Sequence, residues 1–337
     1  MIHIKKLAEL TGHNGAVYAL ENSETENCFF SGSSDKIIAK WNLNTLSADK
    51  FAAQVPGIIY SLCFIKEKNV LLAGTSEGKI HVINLAEKKE IKILQNHNQP
   101  VFDIKASPRP SSKDREDILL SSGGDGVLSI ISLEDFNTIK LIKLCNEKLR
   151  AIDIFENTAA IACGDGMIRI IDLTVLKVVS EFSAHKDSVY CVKFSPDGTY
   201  LLSGGKDAHL NRWQFPLTSI FDPHPLRSIP AHNYAIYSIV FSPDGKYFAT
   251  ASRDKTIKIW DTATFEVLVR INKENHDGHI NSVNKIMWVR NPKSLPRSAK
   301  ALRVGEKGLS NSSLGAGGDQ LLISAGDDRK VMVWDIH

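Results

Sequence analysis

The sequence predicts an all-β fold, a β-propeller of seven four-stranded antiparallel blades, and three observations carry that prediction. A polar turn followed by a short apolar strand recurs seven times, with an acidic residue at a fixed distance before the strand ends. Successive acidic positions, Asp35, Glu77, Asp125, Asp165, Asp207, Asp254 and Asp328, lie 42, 48, 40, 42, 47 and 74 residues apart. Helical periodicity is almost absent. A period of about 40–45 residues with four short strands per unit marks a propeller blade.

The repeat is clearest where SGSSDKIIAKW (Ser31 to Trp41) returns as SGGKDAHLNRW (Ser203 to Trp213), TASRDKTIKIW (Thr250 to Trp260) and SAGDDRKVMVW (Ser324 to Trp334). Three further copies keep the spacing and lose the indole, ending at Ile83, Ile131 and Ile171. The runs IIAKW, TIKIW and VMVW are β-branched and apolar with period-two character, which reads as strand. Upstream, KFSPDGTYLLS and VFSPDGKYFAT place Pro-Asp-Gly between two apolar runs. Proline presets φ at the second turn position and glycine accepts the positive φ that closes a hairpin. Each unit is therefore two hairpins. The last unit stops at VMVWDIH after its third strand, so the N-terminal HIKKLAEL is expected to supply the fourth and hide the sheet edges. The domain expectation is a single propeller over 1–337.

These units resemble the repeats of the WD-repeat (WD40) family, although the Trp-Asp pair survives only at Trp260-Asp261 and Trp334-Asp335. The resemblance implies a buried chain in which Asp accepts from His, His bonds Ser or Thr, and the hydroxyl bonds the indole. It places complete chains at His13/Ser31/Asp35/Trp41, His185/Ser203/Asp207/Trp213, His232/Thr250/Asp254/Trp260 and His279/Ser324/Asp328/Trp334. Indole is only a donor and carboxylate only an acceptor, so these four residue types can satisfy one another. Blade three keeps His97, Ser121 and Asp125 but has Ile131 for the indole, and its hydroxyl is expected to find another partner. Blades two and four have Val55 and Cys145 at the histidine position and are expected to rely on apolar packing. Blades two to four are then the ones expected to open first.

The composition, 43% hydrophobic and 23% charged with 41 basic against 38 acidic residues, is that of a globular chain. Neither a secretory leader nor an apolar membrane span is read, and the expected location is cytoplasmic. Five cysteines form no CxxC pair, so no disulfide framework, metal site or cofactor is expected. The Asp-His-Ser sets share residue types with a catalytic triad, but they recur in several blades and end on an indole, which is a structural device rather than a catalytic one. No nucleophile elbow, P-loop or HExxH is present. His276 is read as a loop residue beside His279.

Residues 290–320 hold six basic residues against two acidic, which makes that stretch +4 and leaves the remaining chain at −1. With Ser107 to Asp117 and Phe215 to Ser228 it forms one of three insertions, all of which the family resemblance places on the face opposite the histidine and Asp turns.

The binding expectation rests on the residue five places after each histidine position: Tyr18, Tyr60, Phe102, Arg150, Tyr190, Tyr237 and Asn284. Five of the seven are aromatic in a chain only 8% aromatic. The preceding residue is aliphatic in every unit, so alternation should turn the aromatic the other way. Resemblance to the β subunit of heterotrimeric G proteins places this position at the rim of the central channel, on a face used for partners. Lys206 and Arg253 should add positive charge there, so an acidic or phosphorylated peptide is the expected ligand. The functional expectation is a non-catalytic scaffold or adaptor for proteins and peptides, monomeric alone and part of a larger complex. The alternative is an RNA-binding or ribonucleoprotein subunit that uses 290–320.

Overall fold

In the computed structural model, which describes residues 2–107, 117–216, 224–292 and 320–337, the chain forms seven four-stranded antiparallel sheets. The inner strands are Val17–Asn22, Ile59–Ile65, Val101–Ser107, Leu149–Phe155, Val189–Phe194, Ile236–Phe241 and Val283–Arg290. Each lies against the inner strands of both neighbouring blades, and Val17–Asn22 meets Val283–Arg290 to complete the circle. Ile4–Leu10 pairs antiparallel with Val331–Ile336, so the N-terminal strand is the outer strand of blade seven, as the unpaired end of the last repeat required. No helix of the described residues is long and apolar enough to cross a membrane. His276 lies on a single helical turn, Lys273–His276, rather than in a loop.

Burial follows position within a blade. The second strands, such as Cys28–Ser33 and Val70–Thr75, are buried throughout, whereas the outer strand Ser47–Gln54 is mostly exposed. Apolar side chains collect into seven slabs, one between each pair of adjacent blades. Trp41, Trp213, Trp260 and Trp334 are each no more than 2% exposed, at the centres of four of them. Both Pro-Asp-Gly hairpins close as their residues require, with φ of 68° at Gly198 and 70° at Gly245, the region that glycine enters without a Cβ clash.

The four complete chains are present as bonded sets. His Nδ1 lies 2.9 Å from the carboxylate of Asp35, Asp207, Asp254 and Asp328. His Nε2 lies 2.7–2.8 Å from the hydroxyl of Ser31, Ser203, Thr250 and Ser324. The indole N–H donates to the same hydroxyl at 2.7–2.9 Å. The carboxylate is the hub, because it also accepts the backbone N–H just after the histidine, from Asn14, Lys186, Asn233 and Ile280. One Asp thus ties the loop entering a blade to the turn between its second and third strands.

Blade three departs from the expected repair. Ser121 bonds His97 at 2.8 Å, and no second partner for it is found among the described residues. None is needed, since the hydroxyl's one proton goes to His97 and only a lone pair is left over. Asp125 still holds His97 and the Asn98 N–H, so this loop is tied like the complete ones. Blade two does fill its slot with apolar Val55, 3% exposed. Blade four does not: the slot holds Cys145 beside Cys163, Asp165 and Arg169, a polar cluster in place of the expected apolar packing.

Candidate functional site

The candidate site is built by a defect repeated in every inner strand. Pairing with the second strand slips by one residue between Val17 and Ala19, and the same slip occurs at Tyr60, Phe102, Arg150, Tyr190, Tyr237 and Asn284. Each of these residues is the extra member of a β-bulge, and a bulge re-aims its side chain. Plain alternation is therefore not the reason they leave the blade interior, which corrects the sequence argument. Its premise stands: Val17, Ile59, Val101, Leu149, Val189, Ile236 and Val283 are fully buried, and the bulged residue beside each is partly exposed.

The bulged side chains touch around the channel mouth. Ring centroids are 5.1 Å apart for Tyr18 and Tyr60, 5.3 Å for Tyr60 and Phe102, and 5.2 Å for Tyr190 and Tyr237. The Arg150 guanidinium bridges the gap, 4.8 Å from both the Phe102 and Tyr190 rings, which is cation–π distance. Asn284 closes the circle by donating to the Val17 carbonyl at 3.1 Å and to Asp327 at 2.7 Å. The mouth opens into a cavity of about 570 Å³.

Burial raises the pKa of Tyr18, Tyr60 and Tyr237, so these phenols stay neutral hydrogen-bonding groups at physiological pH. Nε of Arg150 is buried and has no hydrogen-bond partner among the described residues.

The expected positive rim is only partly free. Arg253 is exposed, with its guanidinium 5.9 Å from the Tyr234 ring, but Lys206 pairs with Asp187 at 2.9 Å. In blade seven the equivalent position, just before the conserved-spacing Asp, is Asp327. Among the described residues Arg150 and Arg253 make no ion pair, unlike Lys206.

Sequence reading missed the channel wall below the ring. Glu21, Asp103, Lys105, Asp153, Lys193 and Lys285 line it. Asp103 accepts the Ile152 N–H at 2.9 Å, and Asp153 accepts the Phe194 N–H at 2.7 Å and Lys193 Nζ at 2.6 Å, so carboxylates of one blade grip the backbone of the next. The Asp103 carboxylate beside Lys105 pushes that ammonium up, while burial pulls Lys285 down and Glu21 up. Charged residues inside otherwise apolar inner strands were the available signal. Pairing across blades joins residues 40 to 49 positions apart, which no local pattern reveals.

The basic stretch lies almost wholly at 293–319, outside the described residues, as do residues 108–116 and 217–223 of the other two insertions. Their flanking strand ends, at Ser107, Gln214 and Arg290, are the ends away from the bulges.

Comparison with known proteins bears on the repeat. A family model described as WD domain, G-beta repeat matches residues 4–42, 176–214, 223–261 and 314–335. Those stretches end in the third strands of blades one, five, six and seven, the four with complete bonded chains. The chain is 26% identical over 208 residues to a WD repeat-containing protein 91 homolog of Dictyostelium discoideum, covering 60% of this chain and 27% of that protein. A striatin homolog from the same organism is 25% identical over 242 residues, covering 62% and 29%. U3 small nucleolar RNA-associated protein 21 homolog of Schizosaccharomyces pombe is 25% identical over 186 residues, covering 54% and 20%. The chain thus spans less than a third of the length of each of these relatives. With the repeat matched in sequence and seven blades closed in space, this chain belongs to the WD-repeat (WD40) β-propellers.

Proposed function

We propose that this propeller is a non-catalytic interaction scaffold that holds an extended segment of a partner protein across its channel mouth. Protein-interaction scaffolding is typical of WD-repeat propellers, and the single observation that carries the finer reading is the bulge ring. Seven equivalent bulges present five aromatic side chains and one arginine in an unbroken arc over a cavity. Tyr, Trp and Arg are the residues that dominate binding energy at interfaces, because large stiff side chains give contact area at low entropic cost. The positive charges of Arg150, which lines the mouth, and of exposed Arg253 favour an acidic or phosphorylated segment.

The test is a fluorescence-polarisation titration of peptide pools that are acidic, phosphorylated, neutral or basic at matched length. The acidic and phosphorylated pools should bind best. Tyr60→Ala, Arg150→Ala and Tyr237→Ala should each weaken binding by more than about 1 kcal/mol while the melting temperature hardly moves. If the triple variant binds unchanged while removal of 292–318 abolishes binding, the working surface is the opposite face and the reading is wrong.

A second reading follows from the +4 charge of 290–320, namely contact with RNA phosphates. It requires a steep fall of RNA affinity with salt, which vanishes when that stretch is removed.

A further inference from the structure

Blade four fills its histidine slot unlike any other blade. In blades three, five and seven the residue two places before the acid is glycine. A Cβ there would come within 2.2, 2.5 and 3.0 Å of the Nδ1 of His97, His185 and His279. In blade four the histidine position is Cys145 and the glycine position is Cys163, so two thiols converge on the space that an imidazole takes elsewhere. Their sulfurs and a carboxylate oxygen of Asp165 lie within 4.8 Å of one another. Cys145 is partly exposed in the loop entering the inner strand, and Cys163 is buried at the end of Thr158–Cys163. Arg169 stands beside them, with Nη2 on Asp165 at 2.9 Å and Nε on Glu181 at 3.0 Å.

We propose that Cys145 and Cys163 are a peroxide-oxidisable pair, in which Cys145 is the attacking thiol and Cys163 closes a disulfide across the vacant histidine slot. The Cys145 thiolate attacks one oxygen of hydrogen peroxide, the O–O bond breaks, and hydroxide leaves to be protonated to water. Cys145 is then a sulfenic acid. The Cys163 sulfur attacks the Cys145 sulfur, the S–O bond breaks, and the oxygen departs as water with the Cys163 proton. Two thiols lose two electrons, and one peroxide is reduced to two waters. A disulfide needs its sulfurs at about 2.05 Å, and the approach falls to Cys145, which sits outside the strands.

The environment separates the two roles. A hydrogen bond from the Cys163 thiol, helped by the Glu147 backbone, holds the Cys145 thiol below its ordinary value against burial, while the Asp165 and Arg169 charges oppose each other. The same hydrogen bond and burial push Cys163 up. Attack by the lower, more exposed thiol and resolution by the buried one is the usual division in a sensor pair. Burial pushes Cys63 and Cys191 up to about 12, so they should stay inert. Asp165, the one carboxylate of the cluster, is already engaged by Arg169, which also holds Glu181, and this sets the reading above a metal site.

The reduced full-length chain is treated with one equivalent of hydrogen peroxide and mapped by non-reducing peptide mass spectrometry. A Cys145–Cys163 linked peptide is expected, with loss of two of the five thiols, while Cys28, Cys63 and Cys191 stay reduced. Cys163→Ser should stop at a Cys145 sulfenic acid that dimedone traps, and Cys145→Ser should leave Cys163 untouched. Overoxidation of Cys145 without a disulfide, pairing with another cysteine, or no reaction at Cys145 overturns the proposal. So does zinc(II), added alone, that stays bound at one per chain and is lost in both serine variants, since the pair would then be a metal centre.

Discussion

Blades six and two have the same four strands and the same acidic position, yet the acid does different work in each. In blade six Asp254 accepts from His232, the Asn233 N–H and the Thr256 N–H, and it binds the entering loop to the turn opposite. In blade two exposed Glu77 meets only Lys79 among the described residues, and Val55 fills the histidine slot with hydrocarbon. Both blades close equally well, with paired strands and a buried second strand. The bonded chain is therefore a clamp on the loop rather than the cause of the blade. The blade itself comes from alternating apolar strands and the slabs between them.

The widest break in that comparison should come from acid. Burial raises the carboxyls of Asp35, Asp207, Asp254 and Asp328, but hydrogen bonds from their histidines and from backbone N–H groups outweigh it and leave each below the usual carboxylate range. Burial likewise holds His97 and His232 below the ordinary 6.5. In both cases the folded pKa is the lower one, so the unfolded chain binds more protons and stability falls as pH falls. Loss should begin below about 6.5 through the histidines and steepen below about 4 through the carboxylates. Hydrogen-exchange protection measured by peptide should show the entering loops of blades two and four opening first at pH 7. By pH 5 the loops of blades three and six should have lost more protection than those two. Equal loss in all blades would break the comparison.

A sharper and smaller effect is the acid itself. Asp254→Ala strips the partner from a buried imidazole and from two backbone N–H groups, and should cost about 2–5 kcal/mol. Glu77→Ala, at the same repeat position, should stay within about 0.5 kcal/mol, because an exposed ion pair contributes little. Urea unfolding midpoints decide it, and similar losses in the two variants would mean that the clamp is not what differs. The smallest contrast concerns the indole. Trp260→Phe removes the donor to Thr250 and should cost about 1–3 kcal/mol, whereas Ile131→Val in indole-free blade three should cost about 0.5–1.5 kcal/mol. The reverse order would show that packing, not the bond to Thr250, is what Trp260 contributes.

Blade three shows where reading by pattern stops. Ile131 marks it as incomplete in sequence, which groups it with blades two and four. Its His97–Asp125 bond puts it with the clamped blades instead, since the clamp needs only the acid and the histidine. Blade four errs the other way. An absent histidine suggests hydrocarbon, but Cys163, two before the acid, brings a second thiol against Cys145, and that contact joins a loop to the end of the second strand.

The sequence alone determined the number of blades, the two-hairpin plan of each and the closing role of the N-terminal strand, and the family resemblance it carries gave the membership of all four complete chains. The blade count and the closing strand rest on local periodicity and on a spacing that recurs from repeat to repeat, and a recurring spacing becomes a recurring place once strands pair. Tertiary structure alone decided that the ring residues are bulges, that Arg150 stacks between Phe102 and Tyr190, that Asp187 takes up the Lys206 charge, and that Cys145 meets Cys163. Those facts depend on a one-residue slip in pairing or on contacts across strands and blades. They are set when the ring closes and side chains from different strands and repeats compete for the same few ångströms.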